Sequence, residues 1–514
     1  MSFSTRNLCL KILGFSLHFV CTEAVREDDF TLEKRKPNLA ARRLLRDGRL
    51  LSSIEAVALK LSNNYDFARR IVQEVSLQVA GQIIRYFKVD QLDRAYSHAG
   101  LYAPPGLGKD YAWKLVRASG IFPTDKIRMT KLENITEAVL VGTVTESTII
   151  PPPAVTEDVI FVGEFATLMR GISAASIAAD MRAMLESGEY SRRLAKIGVL
   201  KEILMTQPHS HRAKYIQDQL GEYERIGMTL DLDKSQIHVK TTTSWMISSA
   251  RFGSETTYGR SLLSMGDVNR YRWRSYLPDR KERIRITSEV GSLPPIQIEG
   301  AERKVCREAL DTLVSSTKSL LTNGLPISRD EQSYHERQKI WDATQKAVAD
   351  TYEKVMTKVH FNQLVNLRTR AEFTRLIHQH AVFKQFERDQ GHDFAQPSKF
   401  IVNYSEDGEF AKQLWVNDYV PSMIDVINDI LRHSRARSKW GKKSARGVST
   451  AKGEEIVVER LKEGPAKRAE LKRLVEKAGI SSSTLDNQIL PSLLRDGVIK
   501  KGRFGWYFLV KERK

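Results

Sequence analysis

Cysteine is scarce in this sequence: its 514 residues include three, Cys9, Cys21 and Cys306. Three cysteines cannot build a disulfide framework, and their spacing does not match that of metal-ligand motifs. The sequence therefore excludes a fold held together by disulfides and a metal centre built on cysteine pairs. So few thiols are typical of a reducing compartment, where they pack as small apolar side chains.

Long apolar runs are also missing. The stretch from Asn7 to Cys21 is mainly apolar, but Lys11 and His18 interrupt it. It is also shorter than the ~20 residues that a helix needs to cross a bilayer. Because it lacks an obvious small-residue cleavage site, we interpret it as a buried helix or strand rather than a targeting segment. We therefore expect a cytoplasmic protein with no membrane-spanning segment.

Acidic residues are fewer than basic ones, 62 against 81, and the formal net charge is +19. Such an excess is costly on one compact surface unless a polyanion neutralises it. Nucleic acid is the partner class that this charge favours first, and an anionic membrane surface is the second. Hydrophobic residues make up 41% of the chain and charged residues 28%, which excludes collagen-like and wholly disordered proteins.

The residue pattern divides the chain into five segments, which are 1–96, 97–300, 301–431, 432–452 and 453–514. The first and third have apolar residues at three- and four-residue spacing, which predicts helices. In the second, short β-type runs such as 139–141 and 159–162 alternate with helical stretches, which predicts an α/β core with a mainly parallel sheet. The fourth contains no acidic residue and predicts a basic linker. The fifth is a compact final module.

Residues 103–110 read A-P-P-G-L-G-K-D and approximate the P-loop pattern G-x-x-x-x-G-K-[S/T]. In such a loop, glycines let backbone N–H groups surround the phosphates, and the lysine reaches the terminal phosphates. Ala103 replaces the first glycine and Asp110 replaces the hydroxyl residue. We assign nucleotide binding to Ala103, Pro104, Pro105, Gly106, Leu107, Gly108, Lys109, Asp110 and Tyr111. The alternative is a Gly/Pro turn that only caps a helix.

Further along the chain, an apolar strand ends in an acid, D-V-I-F-V-G-E at residues 158–164. Nucleotide hydrolases use one carboxylate here for magnesium and one to activate water, and Glu164 suits the activating role. Gly163 stands where the magnesium-associated aspartate is expected. Either Asp110 and Glu164 now supply the magnesium ligands, or the magnesium site has decayed; both interpretations stay open.

A third β-rich element covers residues 239–250 and ends in small polar residues. In ring ATPases a polar side chain at this place positions the attacking water. Ser249, or its neighbour Ser248, is our candidate for this role. The alternative is an ordinary serine in a buried strand.

Taken in order, these segments resemble the AAA+ core of the MCM family of replicative helicases, over residues 100–381 with an insertion at 201–234. The residues that carry the resemblance are V-G-E-F-A-T-L-M at 162–169, A-M-L-E-S-G-E at 183–189, L-A-K-I-G at 194–198, 243–251, and L-L-S-M-G-D at 262–267. The resemblance implies ATP and Mg²⁺ as cofactors, DNA as partner, and a homo-oligomer such as a hexameric ring.

The resemblance also implies roles for single residues. Lys196 falls where the family has a DNA-contacting lysine in a β-hairpin. Arg368 falls on a lid helix that reaches a neighbouring subunit's nucleotide. Met265 stands at the arginine-finger position, so Arg270 is a candidate replacement. Residues 271–274, Y-R-W-R, predict a basic and aromatic face that is able to meet DNA.

The last segment predicts three helices, the third capped by residues 481–484, followed by a β-hairpin. This arrangement resembles a winged helix-turn-helix domain. In that fold the third helix enters the major groove and the wing touches the DNA backbone. The candidate DNA-binding residues are Ser483, Thr484, Asn487 and Gln488 at the start of the third helix, and Lys500, Lys501 and Arg503 in the hairpin. Winged helices also mediate protein contacts, which is the alternative.

These observations together predict an AAA+ P-loop ATPase with a helical lid, a helical region before it and a winged helix after it. The predicted function is ATP-dependent unwinding or remodelling of DNA in replication, at the nucleoid of the cytoplasm. The alternative is an AAA+ origin-binding or transcriptional regulator with weak or no helicase activity. RNA binding by the basic N-terminal helices is a third hypothesis, without a motif.

Overall fold

A parallel β-sheet forms the centre of the larger part of the chain. The structure is a computed structural model that describes residues 38–62, 65–85, 95–133, 135–145, 149–163, 174–194, 196–249, 268–289, 300–322, 331–389, 400–431, 448–478, 480–495, 498–502 and 505–510. Helices and strands are named in chain order within these residues.

The first elements lead from the N-terminal helices into the sheet. They are α1 (Leu39–Arg46), α2 (Leu50–Leu61), α3 (Asp66–Ile83), β1 (Ala99–Tyr102), α4 (Lys109–Ala118), β2 (Met129–Leu132), α5 (Glu137–Val141), β3 (Thr143–Val144), β4 (Ile149–Ile150), α6 (Pro153–Thr156) and β5 (Val159–Val162). The next are α7 (Ala174–Ser187), β6 (Glu189–Arg193), α8 (Lys196–Thr206), α9 (His211–Arg225), β7 (Met228–Asp231), β8 (Gln236–Lys240), β9 (Ser244–Ser249), a 3-10 turn (Val268–Arg270), β10 (Arg272–Ser275) and α10 (Arg280–Glu289).

Helices dominate the remainder. They are α11 (Ala301–Thr322), α12 (Glu331–Tyr352), α13 (Lys358–Leu364), α14 (Leu367–Phe383), α15 (Gln385–Arg388) and α16 (Tyr404–Leu414), which continues through a π turn (Trp415–Tyr419) to residue 431. The C-terminal module contains α17 (Val448–Lys462), β11 (Ala466–Lys467), α18 (Arg468–Lys477), α19 (Ser482–Thr484, the π turn Leu485–Ile489 and Leu490–Arg495), β12 (Ile499–Lys501) and β13 (Trp506–Leu509).

The strand order of the main sheet, within the described residues, is β10-β1-β9-β5-β2, and every neighbouring pair is parallel. β1, β5, β9 and β10 are buried along their whole lengths, as expected for strands that are covered on both faces. β5 coincides with the predicted run 159–162. A mixed α/β fold with a parallel sheet is therefore confirmed.

The predicted strand at residues 139–141 is wrong, since these residues belong to helix α5. A run of three apolar residues fits the buried side of a helix as well as a strand. The helix begins after Thr136 and ends at Gly142, which has a φ of +78°. The following β3 and β4 form a short antiparallel pair.

A second sheet, with the order β6-β8-β7, is antiparallel. Glu189 of β6 lies opposite Lys240 of β8. Helices α8 and α9 lie between β6 and β7 in the chain. α8 forms where the family resemblance implies a hairpin strand, because Ile197 and Leu200 are spaced for one buried helix face.

The three segments before residue 432 share one hydrophobic core, although the sequence pattern separates them at residues 96 and 300. This core contains buried side chains from Ala41 to Ile430. The predicted lid region packs against the N-terminal helices: α14 against α3, and α11 against α1 and α2. Gln379 of α14 also donates hydrogen bonds to the Ala95 carbonyl at 3.1 Å and to Ser97 Oγ at 3.0 Å.

The C-terminal module has its own core, which includes Val457, Leu471, Leu485 and Ile489. Its three helices are followed by an antiparallel hairpin, and β11 completes the sheet order β11-β13-β12. The first helix begins at Val448, so residues 448–452 of the predicted linker are helical; the rest of the linker lies outside the described residues. The predicted cap of the third helix is confirmed, because Ser481 Oγ accepts the backbone N–H of Thr484 at 3.2 Å.

Candidate functional site

The loop at residues 103–108 connects the carboxyl end of β1 to the first turn of α4. Gly106 and Gly108 have φ values of +77° and +71°, which glycine adopts without the steric cost that a Cβ adds. Ala103 does not have a positive φ, so alanine is compatible with the first position of the loop. Its backbone N–H donates to the Ser249 carbonyl at 3.2 Å, which fixes the start of the loop to β9.

Lys109 is the first residue of α4, and its side chain folds back over the loop. Nζ donates a hydrogen bond to the Ala103 carbonyl at 2.7 Å. Gly108 at the N-cap has no side chain to cap the helix. Free N–H groups at a helix N-terminus, next to a lysine ammonium, are the groups that bind phosphate oxygens.

An aromatic cluster supports the loop from the side of the N-terminal helices. The buried Tyr65 donates its hydroxyl to the Leu107 carbonyl, and burial raises the pKa of this tyrosine. Its ring meets Tyr276 edge-on at a centroid distance of 5.6 Å, and Phe67 stacks on Tyr276 at 4.9 Å. The loop motif did not predict this role of Tyr65, because helix α3 separates Tyr65 from the loop in the sequence.

Tyr111, the last residue assigned to the nucleotide site, is half-buried on α4. Its hydroxyl lies 3.5 Å from the Leu61 carbonyl, which accepts its hydrogen bond, and burial raises its pKa. Tyr111 therefore packs toward the N-terminal helices.

Asp110 forms an ion pair that the sequence did not predict. The ammonium of Lys131, the third residue of β2, lies 3.0 Å from Asp110 Oδ1 and 2.7 Å from Glu133 Oε1. Lys131 is 23% exposed, whereas Asp110 and Glu133 are 63% and 74% exposed. Burial lowers the pKa of Lys131, but its hydrogen bonds to Glu133 and Asp110 raise it more, and the net pKa is raised.

Gly163, at the end of β5, borders this cluster. A Cβ at this position would lie 3.3 Å from Lys131 Cε, 3.3 Å from Glu133 Oε2 and 3.7 Å from Asp110 Oδ1. The structure therefore brings together the two positions that depart from the magnesium-binding pattern, Asp110 and Gly163. Glu164 itself lies outside the described residues, so its predicted roles as base and metal ligand stay predictions.

The described part of this cluster does not fit a magnesium ion. Mg²⁺ needs oxygen ligands in near-octahedral geometry, and here an ammonium group already contacts the carboxylates of Asp110 and Glu133. Gly163 offers no side-chain oxygen. Among the described residues, no group of three or more His, Cys, Asp or Glu side chains is arranged to hold a metal ion.

Asp158, which directly precedes β5, has a structural role. Its carboxylate accepts the backbone N–H of Arg128 at 2.8 Å and pairs with Arg85. It therefore ties the amino end of β5 to the chain before β2, at the opposite end of the strand from Gly163.

Ser248 and Ser249 are the last residues of β9, and both are buried. Ser249 lies beside Tyr102 of β1, directly before the loop at residues 103–108. Ser248 lies beside Leu101, and among the described residues its Oγ has no hydrogen-bond partner. β9 therefore ends next to the loop, while a role of either serine with water stays a prediction.

Arg270 and Arg368, predicted from separate motifs, share one carboxylate. Arg368 Nη2 lies 2.6 Å from Glu186 Oε1, and the Arg270 guanidinium binds the same oxygen. Burial raises the pKa of Glu186, but the hydrogen bond from Arg270 and the charges of both arginines lower it more, so the net pKa is lowered. Arg270 is 4% exposed and is thus paired within its own chain.

The expectation of a basic and aromatic face at residues 271–274 is wrong. All four side chains are buried, and residues 272–275 form the edge strand β10. The buried Glu74 of α3 pairs with Arg272 at 2.7 Å and with Arg274 at 3.3 Å. A charged strand is therefore tolerated inside the core because distant acids pair with it: Glu74 with both arginines, and Asp418 with Arg274 at 3.2 Å.

The candidate DNA-binding residues lie in two places. Lys196 is exposed at the first position of α8, not in a hairpin strand. Lys500 and Lys501 are exposed on β12, and Lys500 Nζ lies 6.0 Å from the centroid of the Phe508 ring. Thr484 is half-buried in α19 beside Ser481, with 2.8 Å between their hydroxyl oxygens. The side chains of Ser483, Asn487 and Gln488, and all of Arg503, lie outside the described residues.

Comparison with known proteins finds no matching family model and no matching curated protein. In the part of the chain that the structure describes, no helix is long and apolar enough to cross a membrane.

Proposed function

We propose that this protein is a DNA-binding AAA+ ATPase, which binds a nucleoside triphosphate at residues 103–111 and DNA through its C-terminal module. The observation that carries the proposal is the loop between β1 and α4, with two glycines at positive φ and Lys109 at the helix start. Backbone N–H groups at a helix start, together with an ammonium group, are the chemistry that a polyphosphate needs.

The sheet supports the AAA+ part of this proposal. In chain order the strands of this sheet are β1, β2, β5, β9 and β10, so the loop-bearing β1 lies between the fifth strand, β10, and the fourth, β9. AAA+ cores share this order. Ligands of open parallel sheets bind outside the carboxyl ends of the strands. The loop, Gly163 and Ser249 all lie at that end.

Nucleotide binding is tested by titrating full-length protein with ATP in a calorimeter. Removing the ammonium in Lys109→Ala deletes a charge-assisted hydrogen bond, so we expect about tenfold weaker binding or more. Lys114→Ala, at an exposed position of the same helix, is the matched control and should bind like the wild type. Equal affinities of Lys109→Ala and wild type would exclude this loop as the phosphate site.

Hydrolysis is a separate test, because it depends on Glu164. We expect Glu164→Gln to retain ATP binding and to lose turnover, measured with and without single-stranded DNA. Turnover that is unchanged in this variant would remove Glu164 from the mechanism.

The C-terminal module supports the DNA-binding part, since three helices and a hairpin with exposed Lys500 and Lys501 have the form of a winged helix. We expect the double variant Lys500→Ala/Lys501→Ala of the full chain to bind duplex DNA more weakly, with a shallower salt dependence of about 0.9 per lost phosphate contact. The double variant Lys472→Ala/Lys477→Ala, on α18 of the same module, is the matched control. If the two double variants weaken DNA binding equally, the hairpin is not the part of the module that contacts DNA.

A second candidate function is a nucleotide-dependent switch that binds DNA without unwinding it. It is favoured by two observations: Asp110 is paired with Lys131, and Arg270 and Arg368 are both paired with Glu186 in their own chain. A forked-duplex assay distinguishes the two functions. ATP-dependent strand displacement supports a helicase, whereas duplex binding without displacement at any ATP concentration supports the switch.

A further inference from the structure

We infer that the ammonium of Lys131 takes the place of a divalent cation at this site, so that the protein binds nucleoside triphosphate in its metal-free form. The inference rests on the proposed nucleotide binding and specifies the ionic state of the ligand. It is carried by the position of Lys131 Nζ, 3.0 Å from Asp110 Oδ1 and 2.7 Å from Glu133 Oε1, beside the P-loop helix.

Two residues at the ends of β2 and β5 depend on each other. Lys131 lies on β2, and Gly163 directly follows the adjacent parallel strand β5, where Leu132 lies opposite Val162. The Lys131 stem passes 3.3 Å from the place where a Cβ on residue 163 would stand. A Cβ at this distance would require the Lys131 stem to give by a few tenths of an ångström, so a magnesium-associated carboxylate at position 163 would crowd this lysine conformation. Gly163, which has no Cβ, thus leaves room for the Lys131 stem.

Charge explains why Asp110 is tolerated in a phosphate-binding loop. Alone, a carboxylate at this position would repel the triphosphate. Lys131, which also binds Glu133, partly offsets this charge, and the ammonium has a third N–H for a phosphate oxygen because a lysine carries three donors. A divalent cation placed in the same cluster would instead meet the positive charge of Lys131, at short range and partly shielded from solvent.

Lys131 is 23% exposed, so its charge is not sealed in the core. Lys109 and Lys131 would then both contact the polyphosphate.

The test is ATP affinity of the full-length protein in excess Mg²⁺ and in excess EDTA. We expect the wild type to bind within about threefold under the two conditions, whereas a protein that binds only the magnesium complex would lose about tenfold or more in EDTA. A loss of that size in the wild type overturns the inference and leaves the proposed nucleotide site intact. Absence of binding under both conditions overturns the proposed function, and the inference with it.

Variants separate the role of Lys131 from a merely structural one. Lys131→Ala should weaken binding in EDTA by about tenfold, and Lys131→Arg should retain most of it because the charge is kept. The control is Lys126→Ala, which removes a lysine of similar exposure that pairs with Asp311. Unchanged affinity of Lys131→Ala in EDTA overturns the inference, as does an equal loss in the Lys126 control.

A reciprocal variant tests the link between Lys131 and Gly163. Lys131→Ala/Gly163→Asp removes the ammonium and supplies the missing carboxylate next to Asp110. We expect its ATP affinity to become magnesium-dependent, about tenfold stronger in Mg²⁺ than in EDTA. Thermal unfolding of each variant verifies that it is folded, and a folded double variant without any magnesium dependence counts against the inference.

Discussion

The guanidinium of Arg274 lies 4.2 Å from the ring centroid of Tyr419, and both side chains are buried. Glu74 completes the contact: it accepts a hydrogen bond from the Tyr419 hydroxyl and pairs with Arg274 and with Arg272. The three elements that meet here are α3, β10 and the π turn that follows α16. This buried polar cluster joins the N-terminal helices, the sheet edge and the last helix before the linker into one unit.

Glu74→Ala is therefore expected to destabilise the whole core. Removing the acid leaves two buried guanidinium groups without their shared partner, and breaking a buried pair in this way costs about 3–5 kcal/mol. Chemical denaturation should show a lowered midpoint for the transition of this core, while the C-terminal module, which has its own core, should be unaffected. The control is Glu302→Ala, which breaks the exposed pair with Lys60 and should change the free energy of unfolding by less than about 1 kcal/mol. A Glu74 variant as stable as this control would contradict the cluster's role.

Gly108→Ala tests the loop backbone. The φ of +71° is unfavourable for any residue with a Cβ and costs about 1–3 kcal/mol. We expect lower stability and weaker ATP binding, measured by thermal unfolding and calorimetry. Gly221→Ala is the matched comparison, since Gly221 lies in helix α9 with open space around its Cβ position. That substitution should stabilise the protein by about 0.5–1 kcal/mol, so opposite signs are expected.

The two arginines on Glu186 differ in exposure, and this predicts different effects. Arg270 has 3% of its side chain exposed and Arg368 has 45%. Arg270→Ala should lower the free energy of unfolding by about 1.5–3 kcal/mol, because it removes a buried charge-assisted hydrogen bond. Arg368→Ala should cost less than about 1 kcal/mol.

This difference makes Arg368 the informative position for function. ATP turnover that falls in Arg368→Ala, while the melting temperature stays near that of the wild type, would support a role with nucleotide. Equal destabilisation by the two substitutions would contradict the exposure argument.

Acid sensitivity is predicted at Glu406. Burial raises its pKa, but hydrogen bonds from Arg388 and Lys384 lower it more, to about 2. A carboxyl whose pKa is depressed in the folded state contributes stability at neutral pH, and this contribution is lost as the pH falls from about 4.5 to 2. The wild type should therefore be more stable than Glu406→Gln at pH 7, and the two should converge toward pH 2 in thermal unfolding. A difference that does not change with pH would contradict the pairing.

The local sequence pattern was sufficient to predict a structural element where burial and backbone conformation allow only one type of element. The run Val159–Val162 is apolar throughout and forms a strand covered on both faces. Gly106 and Gly108 mark a loop that needs positive φ, and the sequence places it before a helix. Ser481 caps the third helix of the C-terminal module because a serine before an apolar helical pattern satisfies a free N–H.

The sequence pattern did not predict the environment of a residue where that environment depends on a partner far along the chain. Residues 271–274 have the composition of a solvent-facing basic stretch, yet Arg272 and Arg274 both pair with Glu74 inside the core. Lys131 and Gly163 meet only because β2 and β5 are neighbours in the sheet.

The sequence by itself determined the α/β class, the glycine-containing loop before α4 and the helices and hairpin of the C-terminal module, because each follows from backbone preference and local burial. Only the tertiary structure decided what surrounds these elements: the single core that joins three predicted segments, the ammonium beside Asp110, and the carboxylate shared by Arg270 and Arg368. These depend on which strands and helices pack together, and charge pairing across such distances leaves no periodic trace in the sequence.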